Sequence, residues 1–78
     1  MSVRVRIVFP EDLVREPVLA RLTRLYDVEP NIRRAQVEER SGWIICELVG
    51  ESGAVEEAIE WLRSTGIRVE PLSDVVES

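Results

Sequence analysis

The polar residue of greatest chemical interest in this 78-residue chain is Asn31, in the stretch "DVEPNIRRAQVEE" at residues 27–39. Its amide carries both a donor and an acceptor. On a bent strand, with backbone N–H and C=O groups freed from a ladder, it could hold the ammonium and carboxylate of an amino acid. The plainer alternative is that Asn31 caps an irregular turn, which asparagine does well. On the physics of the residue alone, the turn reading is the stronger.

Catalysis has little to work with. The chain contains no histidine and one cysteine, Cys46, so a general base would have to be a carboxylate and a nucleophile would have to be Cys46. Cys46 falls between Ile44 and Leu48 on the alternating face expected to be core, where a thiol behaves as a small hydrophobe. The carboxylates are scattered over helix surfaces and turns. Glu38 and Glu39 are adjacent, but neighbours on a strand face opposite ways. No enzymatic activity is expected. One cysteine and no histidine also leave no intrachain disulfide, no common metal-ligand spacing and no iron–sulfur cluster within the chain, so no cofactor is expected.

The totals narrow the classes further. Fifteen acids and ten bases give a net charge of −5, the wrong sign for a nucleic-acid footprint. All the bases are arginine, which suits ion-pair networks with carboxylates. Apolar content of 45 % and charged content of 32 % belong to a folded chain rather than a disordered one. A chain this short buries about 60 % of its unfolded surface, enough for one small core and no large interior site. No apolar run approaches the ~20 residues of a membrane helix, and no signal peptide is evident. The cytoplasm is the simplest location.

The elements that must position Asn31 follow from periodicity. Residues 3–9 alternate, with Val3, Val5, Ile7 and Phe9 on one face, which predicts a half-buried strand. Val18, Leu19, Leu22, Leu25 and Tyr26 recur at helical spacing, predicting a helix from about Pro17 to Tyr26. Residues 28–39 read as a strand whose parity changes: Val28 and Ile32 share one face, Ala35 and Val37 the other. A period-2 strand keeps both sets together only with an inserted residue, so a β-bulge is expected between Ile32 and Ala35. Pro30 cannot donate to a ladder and points to an edge or irregular backbone. Residues 43–49 form a third strand. A second helix is expected with Ser52 as N-cap, Val55, Ala58, Ile59 and Leu62 on its apolar face and Gly66 just past its end. Residues 67–72 form the fourth strand. The order β-α-β-β-α-β predicts an α+β ferredoxin-like sandwich: a four-stranded antiparallel sheet with two helices on one face. It makes a single domain over residues 1–72, with a loose tail at 73–78.

If helices cover one face, the other carries Arg4, Arg6 and Val8, then Trp43, Ile45, Glu47 and Val49, then Arg68, Glu70 and Leu72, and past the bulge Arg34, Gln36 and Glu38. Cross-strand ion pairs centred on Glu47 would make this a solvated face. Trp43, Ile45 and Val49 in one patch favour instead a dimer or partner face. An RNA-binding sheet is disfavoured by the net charge and by the missing ring pattern on the first and third strands. Trp61 is expected to pack at the border of the second helix.

The chain resembles the NIL domain, named for an Asn-Ile-Leu motif. The likeness runs through "RIVFPEDLVREPVLARLTRLYDVEPNIRRAQVEE", the third-strand run to Val49-Gly50, and "AIEWLRSTGIRVEPL". Its landmarks are Phe9, Pro17, Asn31-Ile32, Ala35, Gly50, Trp61-Leu62 and Val69-Glu70. The resemblance implies a ferredoxin-like fold similar to ACT domains, best known as the regulatory domain of methionine importer ATPase subunits. There it forms dimers and binds methionine at the dimer interface. It implies a non-catalytic regulatory domain, a homodimer and an amino-acid ligand such as methionine, held by Asn31 with Ile32, Arg33 and Phe9 as candidate neighbours. A structural or partner-docking module without a small ligand is the alternative. The pattern is broken where Arg33 replaces the motif leucine and where Pro30 stands before Asn31. No ATPase segment accompanies the domain in this sequence, so control of transport does not carry over directly.

Overall fold

The structure, a computed structural model, describes residues 1–13 and 17–72. The expected tail at 73–78 lies outside the described residues. The elements are β1 (Ser2–Phe9), a 3-10 turn (Glu11–Leu13), α1 (Val18–Leu25), β2 (Val28–Val37), β3 (Gly42–Gly50), α2 (Ser52–Ser64) and β4 (Arg68–Pro71). The strands form one sheet in the order β2-β3-β1-β4, every neighbouring pair antiparallel. This is the ferredoxin-like α+β sandwich that the element order predicts. Its smallest extent, 17 Å, accommodates one sheet and one helical layer.

Alternation decides what is buried. Val5, Ile7 and Phe9 on β1 pair with Cys46, Ile44 and Gly42 on β3, and together with Leu48 they form the floor of the core. Leu22 of α1 and Val55, Ala58 and Leu62 of α2 close it from above, all fully buried. Among the described residues no polar or charged side chain is buried, so the core is dry and makes no hydrogen-bonding demands. Burying one such aliphatic side chain is worth roughly 1.5–3 kcal/mol.

The helix ends show one agreement and one correction. Gly66 takes φ +95°, its N–H donates to Arg63 O at 3.1 Å and that of Ile67 to Leu62 O at 3.3 Å. That is a Schellman stop, which needs a residue able to adopt positive φ. At the other end Ser52 is not the N-cap. It is the first helical residue; the cap position is Glu51, extended at φ −70° and ψ 151°, with no side-chain capping bond. The longer Glu side chain is a poor cap, so α2 starts without that support. Arg63 Nη2 donates to Val69 O at 2.9 Å and ties the last turn of α2 to β4.

Leu25, which spacing assigns to the apolar face of α1, is 58 % exposed. Tyr26, on the flank toward α2, meets the Trp61 ring at 6.3 Å between centroids, and Trp61 packs at the helix border as expected. Leu25 is the last residue of the helix.

Candidate ligand edge and open sheet face

The bulge is present. Ile32 pairs with Cys46 and Arg34 with Ile45, and the register shifts between them, so Arg33 is the inserted residue. The insertion has a steric consequence for which side chains share a face. Asn31 pairs with Glu47 and points to the open side of the sheet; Ile32 points to the helix side. Arg33 then returns to the open side, where its Nη2 donates to Glu47 Oε1 at 3.0 Å, and Arg34, paired with Ile45, joins it there. Without the insertion, adjacent arginines would project to opposite faces.

β2 is an edge strand and almost all of it is exposed; only Val28 is buried and Pro30 half-buried. Ile32 is 54 % and Val37 66 % exposed although both have the parity of the core face. Pro30 and the bulge irregularise a strand that would otherwise be a ten-residue template for further pairing. Among the described residues the Asn31 side chain has no hydrogen-bond partner. Asn31 and Arg33 thus flank Ile32 on an open edge, the two polar groups on one face and the apolar one on the other.

Phe9 is not brought to them. It is buried in the core opposite Gly42, whereas Asn31 stands opposite Glu47 on the other face. Five residues of β3 separate those positions, about 17 Å at strand rise. A groove of about 890 Å³ among the described residues is also elsewhere: it runs along α2 and is lined by Val3, Glu56, Ile59, Glu60, Arg63 and Pro71. The cation among these, Arg63, is already bonded to Val69 O.

The open face is ordered in rows. Across β2, β3 and β1, Gln36, Trp43 and Val8 are aligned; so are Arg34, Ile45 and Arg6; so are Asn31, Glu47 and Arg4. Glu47 accepts from Arg4 Nη2 at 2.7 Å and from Arg33 Nη2 at 3.0 Å. Those two hydrogen bonds, that from Arg4 first, hold its carboxyl below its ordinary pKa. Arg68 pairs with Glu70 at 3.0 Å. Trp43, Ile45 and Val49 are half-buried, and an arginine covers the first of them: the Arg6 guanidinium sits 5.1 Å from the Trp43 ring centroid. The Nε of Arg6 is shut away from solvent with no hydrogen-bond partner. An unsatisfied buried donor costs about 1–3 kcal/mol, more than the ~0.5–1 kcal/mol of an exposed cation–π contact. Sequence reasoning placed these residues on one face and anticipated the Glu47 bridges; the unmatched Arg6 carries no sequence signal, because it depends on which carboxylates the register brings alongside.

Cys46 is fully buried, and burial pushes its thiol up to about 11. That is the behaviour of a core hydrophobe, not of an activated nucleophile.

The profile of the NIL domain matches residues 3–71. The chain belongs to the NIL domain family. This NIL domain is 35 % identical over 74 residues to "Methionine import ATP-binding protein MetN 1" of Burkholderia ambifaria, covering 90 % of the chain and 22 % of that protein. It is 29 % identical over 73 residues to "Methionine import ATP-binding protein MetN" of Helicobacter pylori strain J99, covering 88 % of the chain and 22 % of that protein. The chain therefore spans about a fifth of the length of these curated relatives. Among solved structures it resembles the C-terminal domain of an ABC transporter/ATP-binding protein from Enterococcus faecalis, with TM-score 0.79 and 23 % identity over 94 % of this chain and 86 % of that one. That likeness carries the fold. No helix among the described residues is long and apolar enough to cross a membrane.

Proposed function

We propose that this NIL domain, a single unit over residues 1–72, is a non-catalytic cytoplasmic regulatory domain that binds an amino acid such as methionine at a homodimer interface. The observation that carries the reading is the open β2 edge: a bulge beside Asn31, whose amide has no partner among the described residues. Arg33, whose Nη2 is bonded to Glu47 at 3.0 Å, keeps other donors of its fork for a ligand carboxylate, and the Asn31 amide offers an acceptor for the ammonium. The exposed Ile32 is suited to an aliphatic or thioether side chain. Because Ile32 lies on the opposite side of the strand from the other two, a ligand using all three must wrap over the edge. A single copy leaves such a ligand open to water; a second copy beside β2 encloses it. The relatives are named for methionine import, which makes methionine the first ligand to test. Phe9, in the core, would support the fold rather than touch that ligand.

The test is calorimetric titration of the protein with a panel of amino acids and thioethers. Binding that weakens about tenfold or more in Asn31→Ala, with sedimentation showing a dimer, is expected. No heat with any member of the panel sinks the sensory reading. A second reading, a partner-docking module, is favoured by one specific feature, the unmatched Arg6 beside half-buried Trp43 on the open face.

A further inference from the structure

The open sheet face has a charge opposite to that of the chain. Arg4, Arg6, Arg33, Arg34 and Arg68 share it with Glu29, Glu38, Glu47 and Glu70, a surplus of one positive charge, while the whole chain carries −5. The surplus is localised. Glu47 is shared by two arginines, Arg4 and Arg33. Glu70, the register partner of Arg6 on β4, is bonded instead to Arg68. Among the described residues neither Arg6 nor Arg34 has a carboxylate partner. Both are aligned with the same residue, Ile45, one from each side. The two arginine positions therefore flank a half-buried isoleucine, their strands two spacings, or about 10 Å, apart, and the Arg6 guanidinium leans over the neighbouring Trp43 ring.

We propose that this row is a docking site for an acidic amphipathic helix of another protein, with carboxylates on Arg6 and Arg34 and an apolar residue on Ile45 and Trp43. A helix is the element that fits. A strand laid on a sheet face would leave its own N–H and C=O groups unpaired, whereas a helix satisfies its backbone internally, and the other face of this sheet is already covered by helices. Residues seven apart on a helix are about 10.5 Å apart along its axis and lie on nearly the same side, which matches the separation of the two strands that carry the arginines. The third and fourth residues between them project toward Ile45 and Trp43. A second copy fits poorly. Two open faces laid together bring like charges into contact. The acidic side of α2, with exposed Glu56, Glu57 and Glu60, has its buried apolar residues Val55, Ala58 and Leu62 committed to its own core. The proposal goes beyond the ligand reading and does not depend on it.

The probe is a synthetic alanine-based helical peptide with two glutamates seven residues apart and leucines at the third and fourth positions after the first glutamate. Binding is read from Trp43 emission in a Trp61→Phe background, which leaves one tryptophan in the chain. Saturable binding is expected, weakened about tenfold in Arg6→Gln and severalfold in Arg34→Gln, and weakened further by added salt as contacts between charges must be. Both arginines lie outside the core, and circular dichroism of each variant confirms its fold. Equal binding by either variant, equal binding of a peptide with lysines in place of the glutamates, or no Trp43 response at millimolar peptide overturns the proposal. So does tighter binding of an RNA oligonucleotide, which would make the face a general polyanion surface. Calorimetry with amino acids reads the β2 edge and Trp43 emission reads the open face, so the two hypotheses fail separately.

Discussion

Cys46 and Glu47 are neighbours on β3, yet their ionisable groups are pushed toward opposite charge states. Cys46 faces the helices, where no acceptor or cation is offered, and burial pushes its thiol up to about 11. Glu47 faces the open side, where Arg4 and then Arg33 hydrogen-bond it and hold its carboxyl below the ordinary range. One strand thus separates a layer held by dry packing from a layer held by shared charges. The first kind of layer is complete within the chain; the second leaves Arg6 and Arg34 unmatched. Packing fills its own volume, whereas a charge row is satisfied only by the carboxylates that register places within reach.

The largest expected effect tests that asymmetry directly. Leu62→Ala, at a fully buried site, should lower unfolding free energy by about 2–5 kcal/mol, measured by denaturant titration. Ile45→Ala on the half-buried open face should cost about 1 kcal/mol. Equal costs would break the comparison, because the open face would then be buried in solution against something else. A smaller loss, about 1–3 kcal/mol, is expected for Gly50→Ala at the end of β3. A Cβ there would lie 2.8 Å from Asp27 O and 3.4 Å from Val28 Cγ2. Backbone, not a flexible side chain, blocks it. The loss should appear without any change in Glu47 titration, which separates damage to strand packing from damage to the charge row.

Much of this could be read from residues in order. Strict alternation placed β1 and β3 and divided their faces, and the parity conflict between Ile32 and Ala35 located the bulge to within a residue. What alternation does not encode is position within the sheet. Ile32 and Val37 have the parity of core residues, but β2 lies at the edge, so their side chains meet solvent. Phe9 and Asn31 look equally eligible for one site until register sets them on opposite faces. Ser52 and Glu51 differ by one residue, and local sequence does not fix which of them holds extended backbone. Arg6 is one of several arginines in the sequence; only pairing shows that its neighbour Glu70 is taken by Arg68.

The uncapped start of α2 gives a smaller and opposite effect. Glu51→Asp keeps the negative charge near the helix N-terminus and shortens the side chain so that it can accept from an early N–H. Thermal unfolding should show a gain of about 0.5–1 kcal/mol. No gain would mean that backbone geometry at this position, not side-chain length, prevents capping, and the helical layer would be less adjustable than the open face.

The smallest effect concerns the charge row itself. The folded pKa of Glu47 lies below its unfolded value, so its bridges to Arg4 and Arg33 stabilise the fold at pH above the ordinary carboxylate range. That contribution is lost as pH falls through the depressed folded value. The group is solvent-facing, so the loss is small and is better read at the residue than in global stability. Carboxyl-carbon NMR should show Glu47 titrating below the ordinary glutamate value. Arg4→Gln should move it back further than Arg33→Gln, because the Arg4 hydrogen bond is the largest contributor. Cys46, one residue away, runs the opposite way: its burial stabilises the fold fully below the ordinary thiol value of 9.0 and ceases to do so as pH rises through about 11. If Glu47 titrates like an exposed glutamate, the shared-charge row is not formed in solution. Arg33 is then released from Glu47, Arg4 loses that bridge, and the difference between matched and unmatched arginines, on which the docking proposal rests, disappears with it.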